Sequence, residues 1–230
     1  MFSIICPMDT NRLKQFEVTK RVYDSFPQEK EFIIPTRSYA KVANYLDKHD
    51  LIKDVRLISY QTEVGFNPSK AFNLGVRAAK YDNIIITSPE VKPLTDVLAQ
   101  FAELQGQNVI AMCYDEKSPG GDQAVLVDTS FRSDTPAMYF LAMFNKADIE
   151  KINGWDEEFM KGYAYEDNDF GDRWVRAGLP FSVHDEIRAL HQWHERKETL
   201  GGGLAINNQH RMDNTDSGIT YVEHGLNGKL

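Results

Sequence analysis

Between Gly162 and Phe170 the chain reads Gly-Tyr-Ala-Tyr-Glu-Asp-Asn-Asp-Phe, after which Phe170, Arg173, Trp174 and Ala177 recur at helical spacing before Gly178. The spacing predicts a helix whose first turn carries Glu166, Asp167 and Asp169. Unpaired N–H groups and the positive end of the dipole at a helix start favour ionised carboxylates, so acids can crowd there. Such a cluster could hold a cation, orient a hydroxyl or accept a proton. Asp169/Arg173 and Asp172/Arg176 are also i,i+4 pairs, each contributing about 0.2–0.5 kcal/mol on an exposed helix, and Asp169 and Asp172 therefore read as structural. Glu166 and Asp167 precede any such partner and follow an aromatic, glycine-containing loop suited to approach by a ligand. Local sequence leaves a functional and a solvated role equally open for these two.

A second group of candidates lies elsewhere in the chain. Ser88-Pro89-Glu90 follows Asn83–Thr87, the clearest buried strand, and a polar, proline-bounded loop beyond a central strand is where open α/β sheets place their ligands. His191 and His194 lie in His-Gln-Trp-His-Glu-Arg-Lys. Taken alone, a glutamate after a strand is usually solvated and a His-x-x-His pair is usually surface. A closed zinc site is disfavoured because no cysteine lies near the histidines in sequence. Tyr163, Tyr165 and Trp193 read either as core or as binding surface, and Trp174 as core.

The elements that must position these residues alternate. Phe2–Cys6 reads as a strand ended by Pro7, followed by a helix over Leu13, Phe16, Tyr23 and Phe26 that Asp9 or Thr10 could cap. A strand over Glu31–Ile34 and a helix over Tyr39, Val42, Ala43 and Leu46 repeat the unit. A third strand over Asp54–Tyr60 leads to a helix opened by Pro68, with Gly75 inside it at a cost of up to ~1 kcal/mol, which close packing or ligand approach would explain. Beyond the strand at 83–87 we expect a helix over Leu94–Leu104, strands over Val109–Cys113, Ala124–Val127 and Ala137–Phe144, and one or two strands within Phe181–Leu190. Consecutive strands suggest an antiparallel addition to a parallel sheet. From Gly201 the chain shows little periodicity, and residues 201–230 read as a mobile lid or tail on a domain of residues 1–200.

With 230 residues, 42% hydrophobic, the chain can bury a full core as one large domain. A net charge of −8 argues against broad phosphate-backbone binding, so nucleic acid is not an expected partner. No apolar run approaches the ~18–20 residues of a membrane span. Cys6 and Cys113 both sit in apolar strand-like runs and read as buried free thiols, which fits a reducing cytoplasm.

Several separate motifs carry a resemblance. Asn153-Gly154-Trp155-Asp156-Glu157 followed by Gly162–Asp169 resembles the region shared by the β-1,4-galactosyltransferase family and many bacterial family 2 glycosyltransferases. Lys70–Ala79, with Asn73-Leu74-Gly75, is similar to the Asn-x-Gly helix before their metal-binding strand, and Cys6-Pro7 through Arg12 is similar to their first donor-binding loop. The resemblance covers roughly residues 3–197. It implies a GT-A fold, a mixed and mainly parallel sheet flanked by helices, and a metal-dependent, inverting hexosyltransferase acting on a nucleoside diphosphate sugar and a hydroxyl acceptor. It further implies Mn²⁺ or Mg²⁺ held by Glu90 with His194 or His191, donor contacts from Pro7, Arg12, Asn73 and Ser88, acceptor contacts from Tyr163 and Glu166, and Asp167 as catalytic base with Glu166 beside it. One departure stands out: Ser88-Pro89-Glu90 replaces the family's Asp-x-Asp, leaving one acid, and Tyr163 replaces a tryptophan. The rival expectation is therefore an impaired nucleotide-sugar or glycan-binding protein of the same fold. A nucleotidyltransferase ranks lower, because no glycine-rich phosphate loop with a lysine opens the chain.

Overall fold

The computed structural model describes residues 1–62, 65–127, 140–195 and 202–228. The first half alternates as the periodicity predicts: β1 (Phe2–Ile5), a 3-10 turn (Thr10–Arg12), α1 (Leu13–Asp24), β2 (Lys30–Thr36), α2 (Tyr39–Lys48), β3 (Val55–Ser59), α3 (Pro68–Ala78) and β4 (Asn83–Thr87). Then follow β5 (Val91–Pro93), α4 (Val97–Glu103), β6 (Val109–Glu116), β7 (Gln123–Val127), β8 (Leu141–Asn145), α5 (Lys146–Lys151), a 3-10 turn (Glu157–Lys161), α6 (Glu166–Arg176), β9 (Ser182–His191) and α7 (Gly202–Asp216).

These strands form one sheet in the order β3-β2-β1-β4-β8-β6-β9-β5, with β7 paired to β6. β1 pairs in parallel with both β2 and β4, and β2 with β3, while β8 enters antiparallel to β4. β1 and β4 are sandwiched on both faces, which is why they read as Ile-rich runs without alternation. The chain leaves β1 toward β2 on one side and returns to β4 on the other. A crevice therefore opens between the loops that follow β1 and β4, the place where such sheets bind ligands.

Local chemistry fixes the helix that backs this crevice. Asn67 accepts a hydrogen bond from the Lys70 N–H at 3.0 Å and Pro68 opens the first turn of α3. A Cβ at Gly75 would lie 2.3 Å from Ile5 Cγ2, so close packing of α3 on β1 explains the glycine.

Several expectations need correction. The helix after the central strand starts at Val97, capped by Asp96, because Val91–Pro93 is drawn into the sheet as β5 against β9. Of the one or two strands expected within 181–190 the structure forms one, β9, whose register against β6 shifts between Ala111 and Met112. Residues 137–139 of one expected strand lie outside the described residues, and its described part is β8. Residues 201–230 are not an aperiodic tail: Gly201 lies outside the described residues, and from Gly202 the chain forms α7 and then a strap in which Val222 and Leu226 are buried. α7 escaped notice because its docking face is polar. Asn207 and Asn214 are buried and hydrogen-bonded rather than apolar.

Candidate active site

At the crevice, the loop after β1 brings Arg12 to the loop after β4, with Arg12 Nε 3.8 Å from Glu90 Oε1. β9 ends beside them: His191 Nε2 lies 3.7 Å and His194 Nε2 3.8 Å from the same oxygen. One ligand atom from each of Glu90, His191 and His194 lies within 4.8 Å of the other two. Burial by itself would raise the Glu90 carboxyl, but His191 and Arg12 more than offset it and hold it below its ordinary value. Desolvation lowers His194, keeping the ring neutral as a metal ligand must be. Glu90 Oε2 is buried with no hydrogen-bond partner among the described residues, an orphan of the kind that a bound cation satisfies. With two imidazoles and one carboxylate, the donor set fits a divalent ion. Ser88 lies in the same loop, its carbonyl accepting from the Val91 N–H at 3.0 Å, and Pro7 is buried where β1 ends.

Sequence reasoning missed Asp115. This buried residue at the end of β6 accepts from His191 Nδ1 at 2.9 Å and pairs with Lys117. The available signal was an acid beside Glu116 at the end of a strand pattern, but its pairing with a histidine 76 residues away depends on the β6–β9 register.

The acids of α6 form a separate group. No hydrogen bond or ion pair among the described residues joins Glu166 or Asp167 to Glu90 or to either histidine. Ala164 and Tyr165, at φ 60° and 69°, are consecutive left-handed residues that turn the chain into the helix. Non-glycine residues hold this conformation only when their surroundings enforce it. α7 supplies the enforcement: the Asn207 amide donates to the carbonyls of Phe159 at 2.9 Å and Ala164 at 2.7 Å, and Tyr163 N–H donates to the Gly203 carbonyl at 3.0 Å. A Cβ at Gly162 would sit 2.5 Å from that carbonyl, so this backbone contact needs glycine. Tyr163 itself is 54% exposed.

Desolvation, followed by repulsion from Asp167, pushes the Glu166 carboxyl up to about 8. Desolvation also raises Asp167, to about 6, against hydrogen bonds from the Asn168 and Asp167 backbone N–H groups. Burial and the repulsion between the neighbours thus disfavour ionising both carboxyls at once.

The remaining acids are structural, though not as exposed pairs. Asp169 and Arg173 bond at 2.7 Å with both side chains fully buried, and Asp169 also accepts from Asn214 at 2.8 Å. Asp172 binds Arg211 of α7 at 2.7 Å instead of Arg176. Trp174 is core, as expected, and Trp155 stacks on Phe170 with centroids 4.0 Å apart. Asn73 is fully buried. Its amide donates to the Trp155 carbonyl at 2.8 Å and to Glu157 at 3.1 Å, and its oxygen accepts from the Trp155 N–H at 3.0 Å, so it anchors the loop ahead of α6.

A crevice at the β1/β4 switch point, a mixed sheet extended by β8, β6 and β9, and an acid-led helix after β8 define the GT-A fold of glycosyltransferases. Within that class, residues 135–208 match the family described as the N-terminal domain of galactosyltransferase. Among solved structures, S. aureus TarS 1–349 in complex with UDP-GlcNAc is similar at 14% identity and a TM-score of 0.67, over 85% of this chain and 59% of that one. The mannosyltransferase PcManGT from Pyrobaculum calidifontis, in complex with GDP-Man and Mn²⁺, is similar at 14% identity and a TM-score of 0.61, over 92% and 61%. The chain thus spans about 60% of the length of these structures. No curated protein matches it in sequence. No helix among the described residues is long and apolar enough to cross a membrane.

Proposed function

We propose that the chain is a metal-assisted, inverting glycosyltransferase that moves a hexosyl group from a nucleoside diphosphate sugar to a hydroxyl acceptor. The observation that carries this reading is the convergence of Arg12, Glu90, His191 and His194 at the ligand crevice of a GT-A sheet. The donor would lie over the Pro7 loop and Ser88, with Arg12 attracting its diphosphate. Asn73 would act from below, by fixing the Trp155 loop. Mn²⁺ or Mg²⁺ held by Glu90, His191 and His194 would neutralise charge on the departing diphosphate.

Asp167 is the base in this reading: desolvation raises its carboxyl, which makes it a stronger proton acceptor than an ordinary aspartate. Protonated Glu166 can donate a hydrogen bond that orients the acceptor, and a pair whose environments hold the two carboxyls apart suits this division of labour. The exposed Tyr163 ring offers the acceptor an apolar face. Buried free thiols at Cys6 and Cys113 suit a reducing compartment, and we place the reaction in the cytoplasm.

The similar structures carry UDP-GlcNAc and GDP-Man, which makes UDP- and GDP-sugars the first probes. Thermal-shift measurements with and without Mn²⁺ should show a stabilisation of about 2.7 kcal/mol when a true donor is present at 100 times its Kd. Glu90→Ala should abolish the Mn²⁺-dependent part. Failure of every nucleotide sugar to bind would overturn the reading, and binding without transfer to any hydroxyl would favour the impaired binding protein.

A further inference from the structure

We propose that the cleft between the 3-10 turn Glu157–Lys161 and α7 is an accessory acceptor subsite that takes a neutral sugar unit of a glycan, remote from the hydroxyl that reacts. This rests on the transferase reading above and adds the class of acceptor. The cleft has a volume of about 500 Å³, within the range of small-ligand pockets. Arg12, Glu90, His191 and His194 take no part in its lining, so it is separate from the donor crevice.

The floor of the cleft also sets the loop that leads into the acid pair. Asn207 lines the cleft and is buried, with its amide donating to the carbonyls of Phe159 at 2.9 Å and Ala164 at 2.7 Å. Ala164 stands two residues before Glu166. On the preceding turn of α7 the Gly203 carbonyl accepts from Tyr163 N–H at 3.0 Å, and a Cβ at Gly203 would lie 3.2 Å from Tyr163 Cβ. The cleft and the exposed Tyr163 ring are therefore neighbours on one anchored surface, and a glycan of more than one sugar unit can contact both. Contacts to the remote unit would hold the reacting hydroxyl against the acids, the use to which binding energy away from the reacting centre is put.

A pyranose offers a face of C–H groups and a rim of hydroxyls, and the cleft matches both. Ile206, 52% exposed, and Ala205 beside it form an apolar patch, with Gln209 next along the helix to bond hydroxyls. His210 is fixed before any ligand arrives: its Nε2 donates to buried Asp156 at 2.8 Å, and its ring packs edge-on against Phe159 with centroids 4.8 Å apart. Among the described residues nothing bonds its Nδ1, which remains for a hydroxyl. Asp156 is held in turn by the Glu158 N–H at 3.0 Å and the Asn214 amide at 3.4 Å. A group already held in place loses little freedom when a ligand bonds it. Charge selects the occupant. Glu158 and Asp213 place two carboxylates against the single ammonium of Lys161, which pairs with Glu158 and holds that carboxyl below its ordinary value. This lining disfavours a phosphate or a uronic acid and fits a neutral sugar.

The test presents the full chain, free of nucleotide, to an array of neutral and anionic glycans from single sugars to short oligosaccharides, and measures the affinity of the best binder by calorimetry. Neutral oligosaccharides should be retained above single sugars and above their phosphate-bearing or carboxylate-bearing counterparts. Ile206→Glu changes an exposed side chain outside the proposed catalytic set, and should weaken the oligosaccharide about tenfold or more at an unchanged melting temperature. Gln209→Ala, also exposed and adding no charge, should weaken it in the same direction. Retention of no glycan, preference for the anionic ones, or wild-type affinity in both variants would each overturn the proposal. If the glycan binds with this dependence on Ile206 but no nucleotide sugar binds, the cleft stands and the transferase reading fails. If sugar is transferred to hydroxyl acceptors and neither variant changes KM for any of them, the transferase reading stands and this inference fails.

Discussion

Replacing Glu166 by glutamine should stabilise the free protein at alkaline pH, and the gain should vanish in acid. The Glu166 carboxyl, ordinarily near 4.5, is pushed up to about 8 by desolvation and by its neighbour Asp167. An acid raised in the folded state binds its proton more tightly there than in the unfolded chain. Folding therefore loses stability as pH climbs through the window between those two values, and no penalty remains below it. At about 1.36 kcal/mol per decade the limit is ~5 kcal/mol. Glu166 is only partly buried, and an effective dielectric of about 20 reduces the recoverable part to ~1–2 kcal/mol. Glutamine matches the protonated shape and removes the charge. In a domain of this size each kcal/mol moves Tm by roughly 2–4 °C, so the variant should melt ~2–8 °C higher at pH 8.5 and at the same temperature as wild type at pH 4. Differential scanning calorimetry across pH 4–9 reads this directly. A gain that persists at pH 4, or a loss at pH 8.5, would refute the claim that Glu166 stores a desolvation penalty in the free protein.

Asp167→Asn preserves shape while removing the proton acceptor, so turnover with an identified donor and acceptor should fall by roughly 10²–10⁴ at nearly unchanged donor affinity; retained turnover here with loss in Glu166→Gln would move the base to Glu166. The pH profile of kcat/KM should rise near pH 6 as Asp167 ionises and fall near pH 8 as Glu166 loses its proton, and an acid limb near pH 4 would contradict the raised Asp167. Gly75→Ala should destabilise by about 1–3 kcal/mol in urea titration, because overpacking against Ile5 exceeds the ~1 kcal/mol of helix propensity gained. Asn207→Ala leaves the carbonyls of Phe159 and Ala164 without their donor, costing about 1–3 kcal/mol, and should lower turnover more than donor binding; an unchanged melting temperature would show that α7 does not buttress the acidic helix.

What could be read in the chain follows from the range of the interactions involved. The first four strands and three helices were legible because their apolar spacing is local and their burial is simple: Ile84–Ile86 can only be a buried strand, and Val42 and Leu46 can only face a core. Glu90, His191 and His194 were legible as motif members, and the structure gathers them, but Asp115 was not, since nothing in its own neighbourhood states that β9 will lie alongside it. The same limit misassigned the partner of Asp172. An i,i+4 arginine is the best local guess, yet Arg211 lies 39 residues further on and wins because α7 packs across α6.

Asn73 shows the converse, a motif residue whose structural bonds the motif itself does not state. Expected by resemblance near the donor, it bonds both the carbonyl and the N–H of Trp155, and Trp155 stacks on Phe170 of the acidic helix. A chain of contacts thus runs from α3, which packs on β1 and β2, through Asn73 and Trp155 to the helix that carries Glu166 and Asp167. Asn207 of α7 bonds that helix's entry loop at Ala164. Two polar side chains, 134 positions apart, therefore determine where the acids stand relative to the crevice. The groups that would do chemistry can be recognised by type, whereas the groups that aim them are asparagines whose meaning exists only once the chain has folded.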